Sequence, residues 1–559
     1  MAKPELTADQ RAVVEAIQGG KNVLFLGPAG VGKSLVLDSI EYDCVNENGE
    51  QCYFVTATTG NAAVNLKRAT TLHGYLGAGV PGVETFEAFW KVLRMRQSAL
   101  KRIRATRALV IDEVSMLHGR FFAILDLLFR VIRARPGECF GGIQMILCGD
   151  FLQLPPISLR DDRWGEVFAF EVFNALGFEP HRFDLLKVFR QKGHPDFIAM
   201  LGRARLGINT SVDRELLRKC RKTTFPDDGV KPTLLFPTNK LVEQENHARM
   251  HDEPNKGLTR RIMYRGTWDL SLEVKTKKPD GKVVTVYQDV PDAQAYRKRE
   301  KELRLLLANS INLPMNMEVR QGMQVIFRFN VDIKEGVANG TRGAVIGFVP
   351  QSIVNPGRPL SILAVEDRAK YMVDALPPKG EEFWPVVYVP RNGQAYIVTT
   401  YLSKIKWISG ILVLYKRLPF MPAWAITVHR AQGMSIDRLK LVLDKGRMWP
   451  GQAYVAVSRS TGPQNLLISG DVPENLFWVH KRAKAHFARP RGAEAFGSSW
   501  SGPKLENDNA ATDLSAWFKQ VPIFIEQAAA DLAKMEERKT QKRKRAAPPS
   551  DKRAFKKKK

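Results

Sequence analysis

The sequence predicts an α/β fold built on a parallel sheet, and three stretches carry that prediction. A short apolar strand at Val23–Leu26 runs into Gly27-Pro28-Ala29-Gly30-Val31-Gly32-Lys33-Ser34, followed by the apolar helix positions Leu35, Val36 and Ile40. A second apolar run, Ala108–Ile111, ends in the paired carboxylates Asp112-Glu113. A third, Gln144–Cys148, ends in Gly149-Asp150 and continues to Gln153-Leu154-Pro155-Pro156. Strand, polar motif and helix repeated in this order argue for parallel strands with their ligands at the carboxyl ends.

The first stretch has the G-x-x-x-x-G-K-S pattern of a phosphate-binding loop. Backbone N–H groups must converge on the phosphates, which glycine at this spacing allows. Lys33 can reach the phosphates, Ser34 can hold Mg²⁺, and the helix that starts there turns its positive end to the anion. The pattern implies a nucleoside triphosphate site, with Gly27, Pro28, Ala29, Gly30, Val31, Gly32, Lys33 and Ser34 around the phosphates.

Length and composition set the frame. A chain of 559 residues is too long for one core and should divide into several domains. Its 44% hydrophobic and 26% charged residues are those of a soluble globular protein, and no run nears the ~18 apolar residues of a membrane span. The N-terminus has no basic-then-apolar secretion signal, and the five cysteines lack a metal-ligand spacing, which favours reduced thiols inside a cell. A formal charge of +27 calls for a polyanionic partner, and beside a nucleotide site nucleic acid is the better reading.

In chain order, Thr7 is a candidate N-cap for a helix whose apolar face is Val13, Val14 and Ile17. Gln10, one turn in, offers an amide that can both donate to and accept from adenine, or is simply a solvated helix residue. The strand Cys52–Thr56 ends in Thr56-Ala57-Thr58-Thr59-Gly60-Asn61, then Thr70-Thr71-Leu72-His73. Small hydroxyl residues there let a phosphodiester backbone approach; they also suit an ordinary strand-to-helix turn. Asp112 suits the metal's water shell and Glu113 the polarisation of an attacking water. Gln153, at the end of the next strand, can sense a γ-phosphate by hydrogen bond.

Taken together, these blocks are similar to the Pif (petite integration frequency) family of superfamily 1B DNA helicases. The likeness covers most of residues 5–475 and includes Phe122–Arg130 and Phe140-Gly141-Gly142-Ile143-Gln144, which resemble the family's own signature. It implies two RecA-like P-loop NTPase motor domains of α/β fold, with ATP in the cleft between them, and small inserted domains, one of them an SH3-like β-barrel. Beyond the resemblance, the polybasic C-terminal composition predicts a disordered basic tail. The boundaries expected are 1–184 for the first motor domain, with an insertion at about 74–98, then 185–320 and 417–490 for the second. The β-rich insert occupies 321–416, with strand runs at Ala344–Val349, Ser361–Val365, Trp384–Val389 and Trp407–Tyr415.

The resemblance also assigns roles. Gln10 reads adenine; Arg190, in Leu185-Leu186-Lys187-Val188-Phe189-Arg190-Gln191, and Arg459, in Tyr454-Val455-Ala456-Val457-Ser458-Arg459, reach the γ-phosphate from the second motor domain. Read alone, Arg190 would be a surface arginine. Thr58, Thr59, Thr71 and His73 on the first domain, and Thr427 and His429 on the second, are the expected DNA contacts. Arg430 stands where the family usually has Lys, and Phe420 where it has Leu. The inserted module guides a strand or is structural.

The implied activity is ATP- and Mg²⁺-dependent 5′-to-3′ unwinding of DNA in replication, repair, recombination or telomere maintenance. The implied partners are single-stranded and tailed duplex DNA, G-quadruplex DNA, and replication or single-strand-binding proteins, with the motor acting as a monomer. Lys277–Lys282 reads as a hairpin turn and Ala293–Ala308 as a charged helix. Beyond about 490 come a Gly/Ser-rich linker (Gly492–Ala511), an amphipathic helix (Trp517–Met535) and the basic clusters Lys542–Arg545, Lys552-Arg553 and Lys556–Lys559. Such clusters serve as nuclear import signals, nucleic-acid tethers or solubilising ends. In a eukaryotic host the first of these places the protein in the nucleus.

Overall fold

The computed structural model describes residues 5–40, 51–59, 62–63, 66, 69–77, 85–156, 165–226, 231–251, 261–277, 283–289, 316–329, 331–332, 335, 337, 341–354, 359–367, 382–390, 392–406, 411–488 and parts of 515–530. The chain divides into two compact units. Unit 1 takes Met1–Lys192, Gly202–Ile208 and Phe477 onward; unit 2 takes Gly193–Leu201 and Asn209–Leu476.

Unit 1 starts with α1 (Ala8–Gln18), capped by Thr7 and burying Val13, Val14 and Ile17 as the sequence predicts. There follow β1 (Val23–Leu26), α2 (Lys33–Ser39), β2 (Tyr53–Ala57), β3 (Thr70–Thr71), α3 (Leu72–Leu76), α4 (Phe86–Leu93), α5 (Gln97–Ala105), β4 (Ala108–Asp112), α6 (Gly119–Arg133), β5 (Gln144–Gly149), α7 (Phe173–Leu176) and β6 (His181–Asp184). The strands form one parallel sheet in the order β3-β2-β4-β5-β1-β6. Because side chains alternate faces along a strand, Leu24, Leu26, Leu109, Ile111, Met145 and Leu147 enter one core. Val23, Phe25, Ala108, Val110, Ile146 and Cys148 enter the other. Burial on both faces is why these strands read as continuous apolar runs. The order β4-β5-β1 sets the strand ends at Asp112, Gly149 and Leu26 side by side, with Leu26 paired to Gly149.

The Phe122–Arg130 and Phe140–Gln144 segments form a brace. Asp126 accepts from Arg130 Nε at 2.7 Å and from the Phe140 N–H at 2.6 Å, both buried. Arg130 also donates to the Pro136 and Leu176 carbonyls, so α6, the turn before β5 and α7 are tied at one point. Phe140 takes a left-handed φ of 51° there. Breaking such a buried pair from one side costs about 3–5 kcal/mol.

Next come α8 (Pro195–Arg205) and α9 (Ser211–Lys219), then β7 (Thr233–Phe236) and α10 (Asn239–His251). The β-rich stretch comprises β8 (Arg261–Arg265), β9 (Thr267–Lys277), β10 (Val283–Asp289), β11 (Asn316–Arg320), β12 (Gln324–Phe327), β13 (Arg342–Pro350), β14 (Leu360–Leu363), β15 (Phe383–Val389), β16 (Gln394–Val398), β17 (Tyr401–Lys406), β18 (Ile411–Arg417) and β19 (Phe420–Pro422). Then follow β20 (Ala425–Thr427), α11 (Val428–Ala431), β21 (Leu439–Val442), α12 (Gln452–Val457) and β22 (Leu466–Ser469). The parallel sheet of unit 2 runs β20-β7-β21-β22, so β7 and β20 are neighbours although the β-rich stretch separates them in sequence.

That stretch forms an antiparallel six-stranded sheet, β14-β16-β15-β13-β12-β19, over a core that includes Val325, Phe327, Phe348, Tyr396 and Phe420. Three of the four runs expected in the insert lie in it. The fourth departs from expectation: β18 pairs with β9, in a separate sheet β10-β9-β18-β17. Residues before 321 therefore supply half of a sheet whose other half lies after 400. Strands β9 and β10, which flank the turn expected at Lys277–Lys282, pair antiparallel with Lys277 opposite Val283; residues 278–282 lie outside the described residues.

Two boundaries also differ from the sequence reading. Residues 185–192 cluster with unit 1 rather than with the second motor domain, and so does the chain from Phe477. The latter includes α13 (Lys481–Phe487), where Arg482 donates to Glu171 at 2.7 Å. Within the expected helix at 517–535, Phe524 sets its ring 4.4 Å from that of Phe86 in unit 1. The helix expected at 293–308, the linker at 492–511 and the basic clusters lie outside the described residues. Among the described residues, no helix is long and apolar enough to cross a membrane.

Candidate nucleotide and nucleic-acid site

The loop between β1 and α2 is shaped by backbone that tolerates no side chain. Gly30 and Gly32 sit at φ +85° and +81°; a Cβ on Gly30 would lie 2.6 Å from Arg190 Cβ, and one on Gly32 2.8 Å from Gln10 Nε2. Gly27 donates its N–H to the Gly149 carbonyl at 3.1 Å, which docks the loop on β5. Lys33 donates through Nζ to the carbonyls of Gly27 (2.8 Å) and Pro28 (3.1 Å), so its ammonium caps the loop. Val31 turns its side chain into the core, and Ala29 is buried. A bare-backbone cradle with an ammonium over it fits a polyphosphate.

Gln10 does more than the sequence suggests. Its side chain is 2% exposed; Oε1 accepts from the Thr7 N–H at 3.0 Å, and Nε2 donates to the Val31 carbonyl at 3.0 Å. Both ends of the amide thus tie the start of α1 to the phosphate loop.

Asp112 closes β4 and is buried beside Glu113. Burial, reinforced by the Glu113 charge, pushes its carboxyl up to about 6, against the opposing pull of Lys33 and a hydrogen bond from Cys148. A divalent cation would relieve that cost, so Asp112 with Ser34 fits Mg²⁺. Among the described residues, no group of three His, Cys, Asp or Glu could hold a metal, so other ligands would be phosphate and water. Glu113 stands at φ 55°, ψ 45°, the left-handed region. Its N–H donates to Asp112 Oδ1 at 2.8 Å, and its carbonyl accepts from Thr58 Oγ1 at 3.1 Å. A Cβ on the facing Gly149 would lie 2.9 Å from the Val114 nitrogen, so that glycine makes the room Glu113 needs.

Gln153 lies beyond β5, 4% exposed, and donates from Nε2 to Asp150 Oδ2 at 3.2 Å. Arg190 lies in unit 1 against the phosphate loop, where the Phe189 N–H also donates to the Gly30 carbonyl at 2.8 Å. It is therefore supplied by the same unit as Lys33, not by the second.

Of the expected DNA contacts, Thr59, Thr71 and Thr427 share one geometry. Each caps a turn of helix at a strand end, accepting from the N–H of Ala62 (3.2 Å), Gly74 (3.0 Å) and Arg430 (3.2 Å). A capping threonine spends its oxygen as acceptor and keeps its hydroxyl hydrogen to donate. Thr58 differs, since its hydroxyl braces Glu113. His73 is stacked 4.8 Å from Phe121, and burial lowers its pKa, which favours the neutral ring. His429 is likewise lowered by burial and meets Gln452 Nε2 at 3.5 Å.

Arg459 departs most from expectation. It is 2% exposed in unit 2, and its guanidinium turns back on its own surroundings: Nε to the Val455 carbonyl (2.9 Å), Nη2 to Ser458 Oγ (2.9 Å) and Nη1 to the Met434 carbonyl (3.4 Å). No role is legible in the sequence for Arg205 or Gln452, whose partners Asp150 and His429 lie far along the chain, and Cys148, Asp150 and Ser458 stand there only as members of their motifs.

The chain is similar to known proteins over most of its length. A family model described as PIF1-like helicase matches residues 5–211. The ATP-dependent DNA helicase PIF1 of Danio rerio is 30% identical over 465 residues, covering 83% of this chain and 61% of that protein. The Saccharomyces cerevisiae ATP-dependent DNA helicase RRM3 is 27% identical, covering 87% and 67%. Among solved structures, Pif1 helicase from Candida albicans matches with a TM-score of 0.61 and 26% identity, covering 87% of this chain and 98% of that one. Bacteroides sp Pif1 in complex with ADP-AlF4 matches in fold with a TM-score of 0.58, at 21% identity and 87% and 96% coverage. The α/β units are of the RecA-like motor type. The chain spans about three-fifths of the length of the first curated relatives it matches.

Proposed function

We propose that the chain belongs to the PIF1-like helicase family and is an ATP-dependent DNA helicase that tracks 5′ to 3′ on single-stranded DNA, a reading supported by the family model over residues 5–211 and by the curated and solved relatives. The observation that carries the reading is the alignment of three strand ends, with the Lys33 loop on β1, Asp112-Glu113 on β4 and Gln153 after β5. The relatives' names support DNA as the track, and the charge of +27 supports a polyanion.

When bound, ATP with Mg²⁺ supplies an electrophilic γ-phosphate. Lys33 neutralises phosphate charge, while Ser34 and Asp112 hold the cation. Gln10 positions the loop with one N–H and one lone pair of its amide, and the remaining N–H and lone pair read adenine. Glu113 accepts a proton from the attacking water, and Gln153 orients toward the γ-phosphate. Arg190 and Arg459 stabilise the charge on the transferring group. Thr58, Thr59, Thr71, His73, Thr427 and His429 form the DNA track, gripping backbone and so tolerating any base sequence. The antiparallel sheet of unit 2 is the SH3-like insert of this reading. The setting is replication, repair, recombination or telomere maintenance, with G-quadruplexes among the substrates. In a eukaryotic cell the basic C-terminal clusters direct nuclear import.

Strand displacement tests the reading. Quenched-fluorophore duplexes of equal length, differing only in whether the single-stranded tail is 5′ or 3′, should unwind with ATP from the 5′ tail alone. Unwinding only from the 3′ tail would overturn the polarity. DNA-stimulated ATP hydrolysis without unwinding of either substrate would leave a nucleic-acid clamp instead.

A further inference from the structure

Gln153 is anchored by a chain of buried groups. Its Nε2 donates to Asp150 Oδ2 at 3.2 Å, and Asp150 in turn receives both arms of Arg205, Nε to Oδ2 at 2.9 Å and Nη2 to Oδ1 at 2.8 Å. The Leu152 N–H adds a fourth bond to Oδ1 at 3.2 Å. Asp150 is 1% exposed and Arg205 5%. The guanidinium lies 4.6 Å from the centre of the Phe487 ring on α13, which keeps water off the pair. All five residues belong to unit 1.

The chemistry of this chain fixes an orientation. An ionised carboxylate only accepts, so the amide end facing Asp150 must be nitrogen, and the Gln153 oxygen and second N–H are turned elsewhere. A glutamine side chain is otherwise broad about its last torsion and would sample both faces. Arg205, through its two-pronged fit, holds the carboxylate plane of Asp150; lysine could pair with the carboxylate without fixing the plane. We propose that Arg205 is a positioning residue for ATP hydrolysis, acting through Asp150 to aim the amide of Gln153, with Phe487 as its cover. The inference rests on the reading of Gln153 as the group that meets the γ-phosphate.

A mutant cycle on DNA-stimulated ATP hydrolysis tests it. Arg205→Lys should lower kcat by about tenfold while KM for ATP changes by less than about threefold, because binding rests on the phosphate loop. Gln153→Ala should lower kcat at least as far, and adding Arg205→Lys to it should lower kcat no further. Phe487→Leu leaves both charges in place and should show a weaker form of the same pattern, again silent in the Gln153→Ala background. It decides the matter if Arg205→Lys fails to fold. Additive losses, or a normal Arg205→Lys enzyme beside an impaired Gln153→Ala one, would overturn the role of Arg205. Normal turnover by Gln153→Ala would instead overturn the reading of the nucleotide site.

Discussion

The Thr58 hydroxyl donates to the backbone carbonyl of Glu113 across 3.1 Å, while the Thr58 N–H donates to the Asp112 carbonyl at 3.2 Å. The end of β2 thus splints the turn that carries the Glu113 carboxylate. Holding a non-glycine residue left-handed costs about 1–2 kcal/mol. One hydrogen bond returns about 0.5–1.5 kcal/mol, so the splint is of the same size as the strain it opposes. Thr58 is also among the proposed DNA contacts, so under the proposed function one residue would join the DNA track to the hydrolytic turn.

Thr58→Val keeps the volume and removes the bond. It should lower DNA-stimulated kcat by about three- to tenfold with little change in nucleotide affinity, and Thr58→Ser should restore most of it. Steady-state ATPase across a DNA titration measures both. Equal loss in the valine and serine variants would assign the defect to lost packing of the methyl group instead.

Lys33→Ala and Glu113→Gln should separate binding from hydrolysis. The first removes the ammonium that caps the loop and should abolish nucleotide binding with the fold intact. The second keeps size and hydrogen bonding but cannot take a proton, so it should bind ATP and retain it unhydrolysed. Filter retention of labelled nucleotide with single-turnover hydrolysis reads the two steps. Normal turnover by Glu113→Gln would remove Glu113 as the base.

Asp112 should oppose folding when no cation is bound. Its carboxyl is raised from the ordinary 3.8 to about 6, chiefly by burial, so the folded chain binds the proton more tightly than the unfolded one. The resulting stabilisation is full below the unfolded value and is lost as pH rises through about 6. Asp112→Asn should therefore stabilise the nucleotide-free protein by roughly 1–3 kcal/mol at pH 7.5 and flatten the fall in stability between about pH 4 and 6. Urea unfolding in the presence of a chelator measures this. A less stable Asn variant at pH 7.5 would show that the ionised carboxylate is held by more than its burial suggests. With ATP and Mg²⁺ present, the ligand's stabilising effect should be smaller for the variant than for the parent chain.

What was legible in the sequence was what local chemistry dictates. Glycines at 30 and 32 are required by the backbone they adopt, Thr7 by the helix it caps, and the apolar runs of β1, β4 and β5 by burial on both faces. The threonines at 59, 71 and 427 stood out in the sequence as DNA contacts, whereas their capping bonds appear only in the structure. The pairing of Asp150 with Arg205 was not, because 55 residues separate them and an arginine near a helix end has no spacing that marks its partner. Nor was the alliance of β9 with β18, whose register is set by antiparallel pairing across the whole insert. The orientation of Arg459 escaped for a different reason. A motif specifies that a guanidinium is present, whereas its rotamer depends on carbonyls contributed by Met434 and Val455.

That orientation yields the last prediction. To stabilise charge on a γ-phosphate, Arg459 must leave the Val455 and Met434 carbonyls and the Ser458 hydroxyl. Met434 and Ile436 follow closely on Thr427 and His429, the proposed DNA contacts of unit 2, and the Ile436 N–H donates to the Arg459 carbonyl at 2.9 Å, so residues 434–436 hold the arginine at both its guanidinium and its carbonyl. Ser458→Ala removes one partner of the stowed guanidinium. Losing a bond worth about 0.5–1 kcal/mol should raise the released population about two- to fivefold. ATP hydrolysis without DNA should rise by that factor while the rate at saturating DNA stays unchanged, so the stimulation ratio falls. Arg459→Ala should instead lower the DNA-saturated rate and the thermal midpoint together, since it strips the donor from buried carbonyls. A Ser458→Ala protein with an unchanged rate in the absence of DNA would mean that release of Arg459 does not limit hydrolysis.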